Sequence, residues 1–234
     1  CTCCGGSFVA EAAERVVDAT FEGDILDMLD ALYRKSVLWR VEPSHGGPRR
    51  FRMPALVSEF ARRQPGSEAE RAEAGRRMTR YYVERGNDLV DHRLGTRDLG
   101  SAPDIGDEIP NIVEAFDIAA DSDVPDAVEL AIVLARYTTE FEMGVEVEPF
   151  LSRASDLVEE AGPYEGRLRD RCRLAHVRAV WAMRRRHLDQ ARPAYRRALS
   201  YAEQLDDAPK QIDILTDFAF AENAAEAFDE ADRL

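Results

Sequence analysis

At 234 residues, 45% hydrophobic and 32% charged with a net charge of −14, the chain carries enough apolar material for one large or two small cores. No run approaches the ~20 apolar residues of a membrane-spanning helix, and no charged-then-apolar leader opens it, so membrane and secretory readings are set aside. The acidic balance argues against nucleic-acid binding by the surface as a whole.

Residues 8–20 place Phe8, Ala12, Val16 and Ala19 on one stripe, which predicts a short amphipathic helix capped by Ser7 with Glu11 in its first turn. Phe21, Glu22 and Gly23 break it. Asp24 opens a second helix, where Ile25, Leu26, Leu29, Leu32 and Tyr33 recur at helical spacing until Lys35-Ser36. Val37, Leu38, Trp39 and Val41 begin a strand, and Pro43-Ser44-His45-Gly46-Gly47-Pro48 reads as a turn. Residues 49–53 (RRFRM) return as a second strand, alternating basic and apolar. Pro54 suits the first turn of a helix that carries Leu56, Val57 and Phe60 and ends at Gln64-Pro65-Gly66. Helix, strand, Gly-Gly turn, strand and helix over residues 24–61 is the order of a winged helix with one β-hairpin.

Ser67-Glu68-Ala69-Glu70 starts a long helix with a capping pattern, running through Met78, Tyr81, Tyr82 and Val83 to about Arg93. Gly95 and Gly100 mark a loop. The next helix is expected over 107–120 through Ile109, Ile112, Val113, Phe116 and Ile118. Beyond Pro125, helices follow one another with breaks at Gly144, Gly162-Pro163 and Asp206-Asp207, and nothing after Met53 alternates as a strand.

A repeat is detectable in this second half. His187-Leu188-Asp189-Gln190-Ala191-Arg192 recurs forty residues later as Ala227-Phe228-Asp229-Glu230-Ala231-Asp232, and Phe150-Leu151-Ser152-Arg153-Ala154 aligns with Ala194-Tyr195-Arg196-Arg197-Ala198 at an offset of forty-four. Periods near forty with a helix pair per unit indicate an α-solenoid. Ala179, Ala191, Tyr195 and Ala198 fit the close-packing positions of a tetratricopeptide repeat, although Ala182 stands where an aromatic is usual. Charge follows the same blocks. Residues 101–164 hold sixteen acids against Arg136 and Arg153, residues 165–200 eleven arginines against Glu165, Asp170 and Asp189, and residues 201–234 ten acids against Lys210 and Arg233. Stacked helices can pair these faces with each other; a basic groove for an acidic partner is the sharper reading.

Seven stretches carry a family resemblance. They are Gly5-Gly6-Ser7-Phe8 with Glu11-Ala12-Ala13, Leu29-Asp30-Ala31-Leu32, Lys35-Ser36-Val37-Leu38, Arg50-Phe51-Arg52-Met53, Val57-Ser58-Glu59-Phe60-Ala61, Arg80-Tyr81-Tyr82, and Glu108-Ile109-Pro110-Asn111-Ile112-Val113-Glu114-Ala115. In this order the chain resembles bacterial STAND-class signalling ATPases, the NB-ARC and LuxR-type transcriptional regulators among them, over roughly residues 3–120. The resemblance implies a winged helix and helical repeats downstream of a nucleotide-binding domain. Beginning at Cys1 rather than Met, the sequence reads as a piece of such a longer protein. Two departures matter. No G-x-x-x-x-G-K-[ST] loop occurs in the chain, so ATP, ADP and Mg²⁺ are expected only in an absent upstream domain. Where many relatives carry Met-His-Asp, whose His senses the nucleotide phosphate, this sequence has Met53-Pro54-Ala55.

Catalytic and metal-binding patterns are lacking. His45, His92, His176 and His187 include no i, i+4 pair, and Ser36, Ser58 and Ser152 have no nucleophile-elbow context. Asp104, Asp107 and Glu108 read as helix N-terminal charges. His176 reads as a satisfied, partly buried histidine, and Trp181 as core. Cys1, Cys3, Cys4 and Cys172 lack C-x-x-C or a partner His pair, and read as small hydrophobes in a reducing cytoplasm.

These observations predict a mostly α chain: a small winged-helix domain at 1–66, a long linking helix and loop at 67–100, and an α-solenoid of tetratricopeptide-like hairpins at 101–234. The function read from it is that of a non-enzymatic sensor and interaction region of a multidomain cytoplasmic regulator of transcription or signalling. Its partners are the upstream nucleotide-binding domain and a protein, peptide or small-molecule effector on the repeats, with no metal, cofactor or membrane, and with homo-oligomerisation compatible. Arg167, Arg171, Arg178, Arg184, Arg185 and Arg186 are the candidate partner-binding face, and Arg40, Arg49, Arg50 and Arg52 a basic interdomain wing. Asp24, Asp27 and Asp30 on the recognition-helix candidate disfavour DNA. Two alternatives are a DNA-binding winged helix with a helical dimerising tail, and a repeat scaffold attached to a kinase or cyclase.

Overall fold

The computed structural model describes residues 4–17, 23–43, 47–64, 68–96, 105–141 and 146–231. Cys1, Cys3, Ala19, Phe21, Glu22, His45, Gly66, Gly100, Asp104, Gly144 and Asp232 therefore lie outside the described residues, as do the side chains of His92 and of 225–231. Among the described residues the chain is mostly helical with one small antiparallel sheet. It divides into two compact units, Cys1–Leu130 and Ala131–Leu234.

In the first unit the expected two-strand hairpin, β2 (Trp39–Val41) with β3 (Arg50–Arg52), gains a third member. β1 (Phe8–Val9) pairs antiparallel with β3, Phe8 opposite Phe51 and Val9 opposite Arg50, which makes β3 the central strand. The single hairpin of the sequence reading is thus corrected to a three-stranded sheet. Its physical reason is burial: Phe8 and Phe51 put their rings 6.2 Å apart in the core, a contact a helical Phe8 would forgo. The helix begins only at α1 (Ala10–Val16), whose N-cap is Val9 without a side-chain cap, so Ser7 is released for another role.

α2 (Ile25–Arg34) is capped as expected, Asp24 Oδ1 accepting from the Leu26 and Asp27 amides at 2.7 and 3.3 Å. Its far end closes with Ser36 in the left-handed region at φ +58, the Ser36 and Val37 amides donating to the Tyr33 and Leu32 carbonyls. Leu29 is buried, whereas Leu26 and Tyr33, expected on the same stripe, are exposed. α3 (Ala55–Arg62) follows Pro54, which occupies the N-cap rather than the first turn, and buries none of its residues. α4 (Glu68–Thr96), expected as a link between halves, packs against α1 and α5 (Ile109–Ala120) within this unit.

Helices α7 (Glu148–Glu160), α8 (Arg167–Arg184), α9 (Leu188–Gln204) and α10 (Ala208–Ala231) build the second unit with the latter part of α6 (Val124–Phe141). α8 packs on α7 and α9, and α9 on α10. The offset of forty-four is visible in the packing: Leu151, Ala154 and Val158 of α7 and Tyr195, Ala198 and Ala202 of α9 are all buried, at matching positions. α8 and α9 end alike, with Arg186 (φ +63) and Asp206 (φ +53) left-handed and the same pair of backbone bonds that closes α2.

Candidate functional site

Arg50 leaves the expected wing. Its side chain, 6% exposed, turns from β3 into the first unit, where Nη1 donates to Glu108 Oε1 at 2.6 Å. Arg50 Nε donates to Ser7 Oγ at 2.8 Å, and Nη2 to the Ser7 and Asp107 carbonyls at 2.7 and 3.2 Å. Glu108 Oε2 accepts from the Tyr82 hydroxyl at 3.3 Å and the Asn111 amide at 3.0 Å, and Asn111 ties back to Ser7 O and the Gly6 amide. Burial would drive the guanidinium toward neutrality, but the hydrogen bond and charge of Glu108 outweigh it and hold the Arg50 pKa above its ordinary value. Burial, then the Glu108 charge, push the Tyr82 phenol far up, so it stays a neutral donor. Gly5 is needed beside this cluster, since a Cβ there would lie 2.3 Å from the Pro110 carbonyl oxygen. Glu108 stands at the N-cap position of α5, the helix end expected for it, and is also the centre of this buried network.

The other wing arginines stay outside. Arg40 pairs with Asp30 at 2.7 Å and lies 4.3 Å over the Tyr33 ring, and Arg49 and Arg52 are exposed. Met53, Pro54 and Ala55 line an open cleft of about 550 Å³ together with Trp39 and Arg52. Trp39, Leu56 (86% exposed) and Phe60 (65%) leave apolar surface in this part of the unit.

In the second unit three of the six arginines of the predicted face, Arg167, Arg171 and Arg178, contact α7. Arg167 donates to the Val158 and Glu159 carbonyls at 2.8 Å, closing the end of α7. Arg171 is ion-paired with Glu159, and Arg178 reaches Ser152 Oγ at 3.1 Å and Glu148 at 3.2 Å. Arg184 is exposed, Arg185 stands 5.1 Å over the Trp181 ring, and Arg186 serves the helix end. Trp181 itself is buried, as is Cys172, whose thiol donates to the Ala198 carbonyl at 3.4 Å.

A cavity of about 370 Å³ opens elsewhere on α8, toward α6 and α10. Arg136 of α6, Arg173 of α8 and Lys210 of α10 bring positive charge to it, and Ile132, Val177 and Val180 give it an apolar wall. Its carboxylate is Asp217, 2.9 Å from His176 Nε2. Burial, then the charge of Lys210, lower the His176 pKa despite Asp217. Sequence reading found His176 but missed the grouping, because 136, 173 and 210 share no spacing and meet only through packing. Among the described residues no group of His, Cys, Asp or Glu is arranged to hold a metal, and no helix is long and apolar enough to cross a membrane. No protein-family model, curated protein or solved structure matches the chain.

Proposed function

We propose that this chain is the winged-helix and tetratricopeptide-like region of a bacterial STAND-class regulator, a non-enzymatic sensor that relays binding on its helical hairpins to a nucleotide-binding domain. The observation that carries the reading is α3, which buries none of its residues while Leu56 and Phe60 stand exposed just beyond Met53-Pro54-Ala55. The resemblance places contact with the nucleotide domain at that triplet, and an exposed apolar helix face beside it fits a docking partner. Two further features support it. The resemblance stretches around Ser7, Arg50, Tyr82 and Glu108 meet in one buried network. The matched burial of α7 and α9 suits stacked hairpins. With Pro54 in place of the phosphate-sensing His, nucleotide state would reach the sheet through packing rather than through that contact.

The test is the full reading frame and its product. A P-loop domain upstream, whose ATP turnover or oligomeric state changes in Leu56→Glu/Phe60→Glu without loss of thermal stability, is expected. A complete frame without a P-loop overturns the reading.

A further inference from the structure

We infer that the cavity among α6, α8 and α10 is a binding site for a small organic anion, a carboxylate or phosphate group carried on an apolar body. Arg136, Arg173 and Lys210 come from three different helices, so no local helix pattern accounts for their meeting. They outnumber the one lining carboxylate, Asp217, in a chain whose net charge is −14. Three cations around one partly enclosed space give it a positive local potential that favours an entering anion. Asp217 is engaged by His176 at 2.9 Å. Lys210 lies 4.0 Å from Asp213, and Arg136 and Arg173 also interact within the protein, so an entering anion shares these cations with existing partners.

The rest of the cavity sets the ligand's other end. Ile132, Val177 and Val180 form an apolar wall that an inorganic ion would leave uncovered. A volume of about 370 Å³ is in the range of small-molecule sites. Guanidinium groups bind carboxylate and phosphate oxygens in paired hydrogen bonds, so both head groups suit Arg136 and Arg173. The inference rests on the proposed function for the role of such a ligand, as the effector received by the repeats, though not for its chemistry.

Calorimetric titration of the chain with hexanoate, phenyl phosphate, inorganic phosphate and the neutral hexanamide tests it. Hexanoate or phenyl phosphate is expected to bind, at least about ten-fold more tightly than hexanamide and than inorganic phosphate, the scale of one charge-assisted hydrogen bond. Arg136→Gln and Arg173→Gln should each weaken that binding about ten-fold, with thermal midpoints recorded to show that the variants are folded. Arg178→Gln, at the α7–α8 seam, should leave it unchanged. If the second cavity variant fails to fold, Lys210→Gln replaces it. Equal affinity for hexanamide, no binding of either organic anion, or unaltered binding in folded Arg136→Gln and Arg173→Gln overturns the inference. Failure here with a P-loop found upstream sinks the ligand site alone, whereas binding without a P-loop sinks only the wider function.

Discussion

Arg50 and Glu108 lie 58 positions apart and meet with side chains 6% exposed each. A buried charge pair is weak evidence of net stabilisation, because desolvation consumes much of the Coulombic gain, but removing one partner strands the other. Arg50→Met is therefore expected to lower the unfolding free energy by about 3–5 kcal/mol. The double variant Arg50→Met/Glu108→Leu should lose less than the sum of the two single changes, since the stranded charge is gone. Urea unfolding of the three variants checks both statements. Additive losses would show that Ser7, Tyr82 and Asn111, rather than the pair itself, hold the cluster. None of this was legible in the sequence. An arginine alternating with Phe51 on a strand reads as the solvent face, and only the third strand reveals that β3 is central and covered.

At the scale of elements, three helices close in the same way. Ser36, Arg186 and Asp206 each occupy the left-handed position after a helix, where a side chain with a Cβ costs about 1–2 kcal/mol relative to glycine. Ser36→Gly and Arg186→Gly are expected to raise stability by about 0.5–1 kcal/mol, part of the gain being offset by the freer unfolded glycine. Asp206→Gly should gain least, because aspartate tolerates this conformation. Denaturant midpoints compare the three, and destabilisation of Arg186→Gly would show that its side chain does more than end α8. The breaks at Lys35-Ser36 and Asp206-Asp207 were readable from composition; the shared closing geometry was not, since nothing in Ser, Arg and Asp as residue types announces a common φ. Long, strongly periodic helices were the most readable elements. α3 was readable as a helix, but its exposed Leu56 and Phe60 were not, because amphipathicity states that a face is apolar and not what covers it.

For the whole molecule, the distribution of charge matters more than its sum. The eleven arginines of residues 165–200 suggested a basic surface, yet Arg167, Arg171 and Arg178 are spent on α7, and Arg50 is buried. The chain as a whole carries a net charge of −14. Accordingly, duplex DNA of arbitrary sequence should not be retained by the chain in a mobility-shift assay at about 0.15 M salt, where phosphate contacts alone give only weak binding. Retention that weakens steeply with added salt would restore the DNA-binding alternative. The sequence by itself determined the helical character, the β2–β3 hairpin, the absence of a P-loop motif and the internal offset of forty-four, because these are written in local periodicity and spacing. Only the tertiary structure decided which charges are buried, that Phe8–Val9 is a strand, and that Arg136, Arg173 and Lys210 share a cavity. Those depend on contacts between residues far apart in the chain, whose partners no local pattern names.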